Sequence, residues 1–177
     1  ANLIRPSFFS LDATGKQVAN TGFGSVKIVS ESPFVVAYKL SGKAKWSDGV
    51  QVSADDLLLS WLAARDPLKA GFGSAATNSG LKYTTVTPTM SADRLTLTIT
   101  FDHRVADWQT ALAPNAPAHI VAQRAFKVTG NKAALTEFET AVAQASLDGQ
   151  VSLATHYAQA FAFTALNANN PGLKVSA

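Results

Sequence analysis

The sequence contains no cysteine, which excludes disulfides, thiolate metal sites and cysteine nucleophiles together. Charge is scarce as well. Only 15% of the residues are charged, and the net charge of +3 comes from 15 basic and 12 acidic residues that are scattered along the chain. A nucleic-acid surface needs Lys and Arg concentrated on one face, so nucleic acid is not an expected partner, and binding to a membrane surface fails on the same ground. No run approaches the ~20 apolar residues of a transmembrane helix. The N-terminal ANLIRPSFFSLD lacks the charged-then-apolar layout of a signal peptide. Internal repeats and low-complexity tracts are also missing. What is present is a hydrophobic content of 47% over 177 residues, enough for one domain with its own core.

The stretch from Phe34 to Leu62 declares the organisation. Phe34, Val36, Tyr38 and Leu40 alternate with Val35, Ala37 and Lys39, the period-2 pattern of a strand with one apolar face. Asp48-Gly49 supplies a turn, and Ser53 stands three residues before Asp56 as a capping-box-like helix start. Leu58, Trp61 and Leu62 then mark one buried helical face, which ends near Arg65 before Pro67. Upstream, residues 3–11 read as an edge strand or arm, residues 12–16 as a turn, and residues 25–30 as a strand that forms an antiparallel hairpin with the one at 34–40. Downstream, residues 69–80 read as a surface loop. Residues 82–90 and 94–101 form a second hairpin in which Leu95, Leu97, Ile99 and Phe101 face one way.

From there the period lengthens. Val105, Trp108 and Leu112 fall at helical spacing before Pro114. Pro117 opens a helix with Ile120, Val121 and Ala125, Asn131 caps a third pattern with Leu135, Phe138 and Val142, and Leu153, Tyr157 and Phe161 line a fourth. The expected class is α+β, with a mixed or antiparallel sheet from two hairpins packed with about four to five helices.

Candidate chemistry is thin. His103, His119 and His156 are the only histidines and show no zinc-ligand spacing, so exposed or capping histidines are the simpler reading. No Gly-x-Ser-x-Gly elbow supports a serine triad. Asp55 and Asp56 could be paired catalytic carboxylates, but a place in a helix's first turn already explains them. Gly22-Phe23-Gly24 and Gly71-Phe72-Gly73 lack the third glycine of a dinucleotide loop. Trp61 and Trp108 belong to apolar helical faces and read as core. Trp46, in a turn beside Lys45 and Asp48, is the one weak ligand-contact candidate; its alternative role is a lid packed over the hairpin. No catalytic residue, metal or cofactor is expected.

VVAYKLSGKAKWSDGVQVSADDLLLSWLAARDP resembles the segment of the family 5 extracellular solute-binding proteins in which a strand ends in a Lys-Trp/Phe-x-Asp-Gly turn followed by a Thr/Ser-Ala-x-Asp helix start. These are the oligopeptide and dipeptide receptors of ABC importers. LKYTTVTPTMSADRLTLTITFDHRVADWQTALA is similar to the family's next hairpin and helix, Pro117-Ala118-His119-Ile120 resembles its Pro-x-His-Ile helix start, and FFSLDATGKQV its early strand and turn. The likeness runs over about residues 4–126. It departs at Leu40-Ser41-Gly42, where Leu-Arg-x-Gly is common, and at residues 132–166, whose helices form a longer link than the family's.

The resemblance implies one subdomain of a two-lobed, periplasmic-binding-protein-like fold, a single unit over 1–177 with 1–24 and 168–177 belonging to an adjoining lobe. It implies a fragment of a non-catalytic importer component, binding peptide or another small solute only through the full-length parent. The parent would be monomeric, serve an ABC permease, and lie outside the cytoplasm on a lipid anchor. The alternatives are a hydrolytic enzyme using His103 or His119, and an interaction or scaffold domain.

Overall fold

The computed structural model describes residues 7–73, 80–84 and 86–166, with side chains as far as Gln159. Two short strands come first, β1 (Phe9–Leu11) and β2 (Gln17–Ala19), paired antiparallel in a sheet of their own. The Asp12 carboxylate accepts from the backbone N–H groups of Thr14 and Lys16 (2.8 and 2.9 Å), which shapes the turn between them. The main sheet is wholly antiparallel. It contains β3 (Gly24–Glu31), β4 (Phe34–Leu40), β5 (Thr89–Met90) and β6 (Thr96–Phe101) in the order β3-β4-β6-β5.

Both predicted hairpins exist, and they are joined through β4 and β6, with Val36 opposite Ile99 and Tyr38 opposite Leu97. Alternation puts Phe34, Val36, Tyr38 and Leu40 on the same buried face as Leu97, Ile99 and Phe101. Each of these large side chains contributes about 1.5–3 kcal/mol by leaving water. Phe8 and Phe23 join the same core, with the Phe8 ring 5.0 Å from Phe23 and 5.8 Å from Tyr38. Gly24 is required there. A Cβ would lie 2.2 Å from the Lys39 carbonyl oxygen and 2.7 Å from the Phe8 ring.

Helix α1 (Ala54–Arg65) packs against this core, and every residue from Ala54 to Ala63 is buried. The sequence predicts one apolar stripe; the run Leu57-Leu58-Leu59 instead faces protein on every side, because α1 lies against β6, against helix α2 (Ala118–Phe126), and against the segment around Gly80–Tyr83. Helices α2, α3 (Asn131–Ala143) and α4 (Leu147–Leu166) pack on one another. Four α-helices and two antiparallel sheets among the described residues make the α+β architecture expected from the sequence. The predicted tail at 168–177 and the side chain of Phe161 lie outside the described residues.

Two local expectations fail. The strand predicted at 82–90 is mostly missing among the described residues: Gly80–Tyr83 winds into a 3-10 turn, Thr84 makes a single isolated bridge to Phe101, and Thr89 and Met90 pair with β6. Trp61 donates its indole N–H to Thr84 Oγ1 (2.9 Å) and Arg65 donates to the Thr84 carbonyl (2.8 Å), so α1 holds this segment in place. Residues 105–112 form no helix, and 106–110 are consecutive turns. The Tyr38 hydroxyl donates to the Trp108 carbonyl, and Asp107 accepts from the Gly80 N–H (2.8 Å). Fewer than three turns of helix before Pro114 have little stability of their own, and these tertiary bonds fix another conformation.

Candidate functional site

The residues singled out in the sequence converge on the N-terminal end of α1. Lys45 and Gln51 form an isolated antiparallel bridge, and Trp46 N–H donates to the Val50 carbonyl (2.8 Å), so residues 44–52 make a compact turn. Gly49 occupies its tip at φ +86°, a conformation that favours glycine. Trp46 is buried, 7% exposed, and its indole N–H donates to Asp56 Oδ2 (3.0 Å).

Asp56 collects two further donors. Its Oδ2 accepts from the Ser53 backbone N–H (2.8 Å), the reciprocal arm of a capping box, and its Oδ1 accepts from the Ala118 N–H (2.7 Å) at the start of α2. One carboxylate thus ties together the turn, the start of α1 and the start of α2. One helical turn on, Ser60 Oγ donates to the Asp56 carbonyl (2.9 Å) and accepts from the Asn115 N–H (3.0 Å), which holds the approach to α2. Burial raises Asp56 to about 6, against the bonds from Ala118, Ser53 and Trp46 that favour its charged form. Both of its oxygens accept from N–H donors, an arrangement suited to the charged form.

His119 forms the second clasp. The sequence reading of exposed or capping histidines fails for this residue, which is 2% exposed with Nε2 2.6 Å from Asp48 Oδ2. An ionised carboxylate cannot donate, so His119 Nε2 carries the proton of this bond. Burial works against the Asp48 charge, but the bonds from His119 and the Val50 N–H outweigh it and hold Asp48 below the usual aspartate value. The Lys-Trp-Ser-Asp-Gly turn is therefore fastened to α1 through Trp46 and to α2 through Asp48.

The other histidines lie elsewhere. His103 is exposed with its ring 4.4 Å from Tyr83, and His156 is half-buried on α4. Among the described residues no three His, Asp or Glu side chains are grouped to hold a metal ion. The Gly71-Phe72-Gly73 segment wraps Asp66, whose carboxylate accepts from the N–H groups of Ala70, Gly71 and Phe72 (2.6, 3.0 and 3.3 Å). Those amides are occupied by protein. Trp61 is buried in the core as predicted, and Trp108 is half-buried against it.

Asp55 behaves differently from its neighbour. Its Oδ2 accepts from Ser53 Oγ (2.9 Å), whereas Oδ1 is buried without a hydrogen-bond partner and lies 3.7 Å from Arg94 Nη2. Arg94 also bonds Glu139 on α3. Burial, followed by the neighbouring Glu139 carboxyl, raises Asp55 well above the usual aspartate value. Nothing in the sequence joins these three residues, since Arg94 and Glu139 are 45 positions apart.

No protein-family model matches the chain. It is 31% identical over 133 residues to an uncharacterized lipoprotein of Mycobacterium leprae, an alignment that covers 73% of this chain and 23% of that protein. The periplasmic EDTA-binding protein EppA matches with a TM-score of 0.54 and 23% identity, over 77% of this chain and 24% of its own. The oligopeptide-binding protein of Thermus thermophilus, solved with a pentapeptide, matches with a TM-score of 0.50 and 15% identity, over 97% of this chain and 28% of its own. The chain has the fold of one part of a family 5 extracellular solute-binding protein. It spans about a quarter of the length of these relatives. The solute-binding-protein fold agrees with the likeness carried by Trp46 to Gly49, Ser53 to Asp56 and Pro117 to Ile120, and it is those three motifs that Asp56 and His119 bind to one another.

Proposed function

We propose that this chain is a scaffold part of the solute-binding component of an ABC importer, working outside the cytoplasm as part of a lipid-anchored protein. Peptides are the first solute class to test. The observation that carries the reading is the buried node at Asp56: one carboxylate accepts a donor from each of the three motifs, which suits a role in holding shape rather than in contacting solute. The fold match over a quarter of each solved relative supports the assignment to one subdomain, and the lipoprotein name of the Mycobacterium leprae relative supports the anchor. A ligand enclosed by two lobes needs surfaces from both.

On this reading the 177-residue chain by itself does not bind peptide usefully, Trp46 is a fastening residue, and the interactions with solute and permease belong to the longer protein. The test is a calorimetric titration of the chain with mixed di- to pentapeptides, alongside mass spectrometry of whatever co-purifies with the longer protein. The expected result is no heat from the chain and a small solute, peptide first, from the longer protein. Peptide binding by the chain at micromolar affinity or tighter overturns the scaffold assignment.

A further inference from the structure

A cleft of about 330 Å³ opens on the side of α1 away from the Trp46 turn, between the β5–β6 turn and α3. Leu58, Met90, Val142 and Ala143 make its apolar wall, and Arg94 and Glu139 stand together at its polar side. The volume lies at the lower end of the range for small-molecule sites, about 300–1,000 Å³.

The charges behind its polar side do not balance, although Asp55 does not itself line the cleft. Two carboxylates, Asp55 and Glu139, share one guanidinium, and the buried Oδ1 of Asp55 accepts no hydrogen bond. A third carboxylate, Asp93, lies in the same turn, held by the Leu95 N–H (3.0 Å) and the Ser91 hydroxyl. The Arg94 backbone is held in place. Its backbone carbonyl accepts the Ala54 N–H (2.8 Å) at the start of α1, and it sits at φ +58°, a left-handed conformation uncommon for a residue with a side chain. The Glu139 side chain is 38% exposed, so a carboxylate remains accessible beside an apolar wall.

We propose that this cleft binds a small organic ammonium ion, with its apolar part against Leu58, Met90 and Val142 and its charged nitrogen at Glu139. An anion is disfavoured because the one cation, Arg94, already faces two carboxylates. An ammonium ion supplies the missing positive charge and N–H donors, and its short apolar body matches the wall. The raised proton affinity of Asp55, due first to its burial and then to Glu139, is a further sign of the same surplus negative charge. The inference stands apart from the transport reading, because it concerns only groups within this subdomain.

The test is an amide-resolved NMR titration of the 177-residue chain with phenethylammonium, and separately with phenylacetate, which offers a similar tail and the opposite charge. The proposal expects saturable shifts confined to Leu58, Thr87, residues 89–95 and residues 139–143, with Kd on the order of 1 mM or tighter for the amine. Phenylacetate should bind at least about tenfold more weakly. Glu139→Gln should weaken the amine by about tenfold, and Val142→Trp, which fills the cleft, should abolish the shifts. No saturable shift at about 10 mM amine, or equal binding of phenylacetate, overturns the proposal. So does unchanged amine binding by a folded Glu139→Gln variant. The comparison of the two ligands needs no substitution, so it decides the question even if a variant fails to fold.

Discussion

Asp55 and Asp56 are neighbours in the first turn of one helix and both are buried, 0% and 2% exposed, yet their carboxylates do opposite things. Asp56 accepts three N–H donors from three separate segments, while Asp55 keeps a buried oxygen without a hydrogen bond next to Arg94 and Glu139. Helix geometry explains the divergence. Successive residues point about 100° apart, so Asp56 turns towards the Trp46 turn and α2, and Asp55 towards the β5–β6 turn and α3. The comparison separates two uses of buried charge: one that fixes a fold by being fully hydrogen-bonded, and one left with polar capacity that a ligand or a proton can satisfy.

The difference should be largest when each carboxylate is removed. Asp56→Ala strands the Trp46 indole, the Ser53 amide and the Ala118 amide without an acceptor, and should cost about 3–5 kcal/mol in urea unfolding. Asp56→Asn keeps one acceptor oxygen, enough for one side of the node only, and should recover part of that loss. Asp55→Asn should change stability by less than about 1 kcal/mol at neutral pH, with stabilisation the expected sign, because it removes surplus buried charge. Equal losses for Asp55→Asn and Asp56→Asn would remove the distinction.

His119→Ala tests the other clasp, and should cost about 2 kcal/mol through a lost hydrogen bond and a cavity. Trp46→Phe keeps most of the ring volume and removes one of three donors to Asp56. It should cost about 1 kcal/mol in the same unfolding assay.

A pH dependence carries the sign of each group. Asp56 rises from 3.8 unfolded to about 6 folded, so folding takes up a proton between these values and the associated stability is lost as pH rises through about 6. For this fully buried group the full span corresponds to about 3 kcal/mol. Asp55 acts in the same direction. Asp48 is lowered, so its contribution is present above the usual aspartate value and is lost as pH falls through its folded value. The windows do not overlap, because Asp48 titrates below the usual aspartate value and Asp55 and Asp56 above it, so stability falls as pH rises from about 4 towards neutral. Asp55→Asn should gain stability relative to the parent chain as pH rises from about 4 towards neutral, measured as the midpoint of urea unfolding across that range.

Much of this arrangement is legible in local sequence. Asp48-Gly49 gives the turn, Ser53 and Asp56 the helix start, and the alternation from Phe34 to Leu40 and Leu95 to Phe101 the paired strands. What local sequence cannot carry is reach. The Asp56 to Ala118 bond spans 62 positions and the His119 to Asp48 bond 71, so periodicity and capping rules have no access to either. The family resemblance groups the three motifs without saying that one carboxylate joins them. The mistaken helix at 105–112 has the same origin: its spacing is helical, but the Trp108 carbonyl is engaged by Tyr38, 70 positions upstream. The Arg94–Glu139 pair left no trace because no local rule couples the two residues and they meet only through packing.

The central claim is that Asp56 locks the turn, α1 and α2 into one unit. Hydrogen exchange of the 177-residue chain, read at the Ser53 and Ala118 amides and the Trp46 indole, tests it most directly. The account predicts that all three exchange only with the slowest core amides of α1, and that all three lose protection together in Asp56→Ala. Rapid exchange at Ala118 while Ser53 and α1 stay protected would mean that α2 is not held by this carboxylate, and would contradict it.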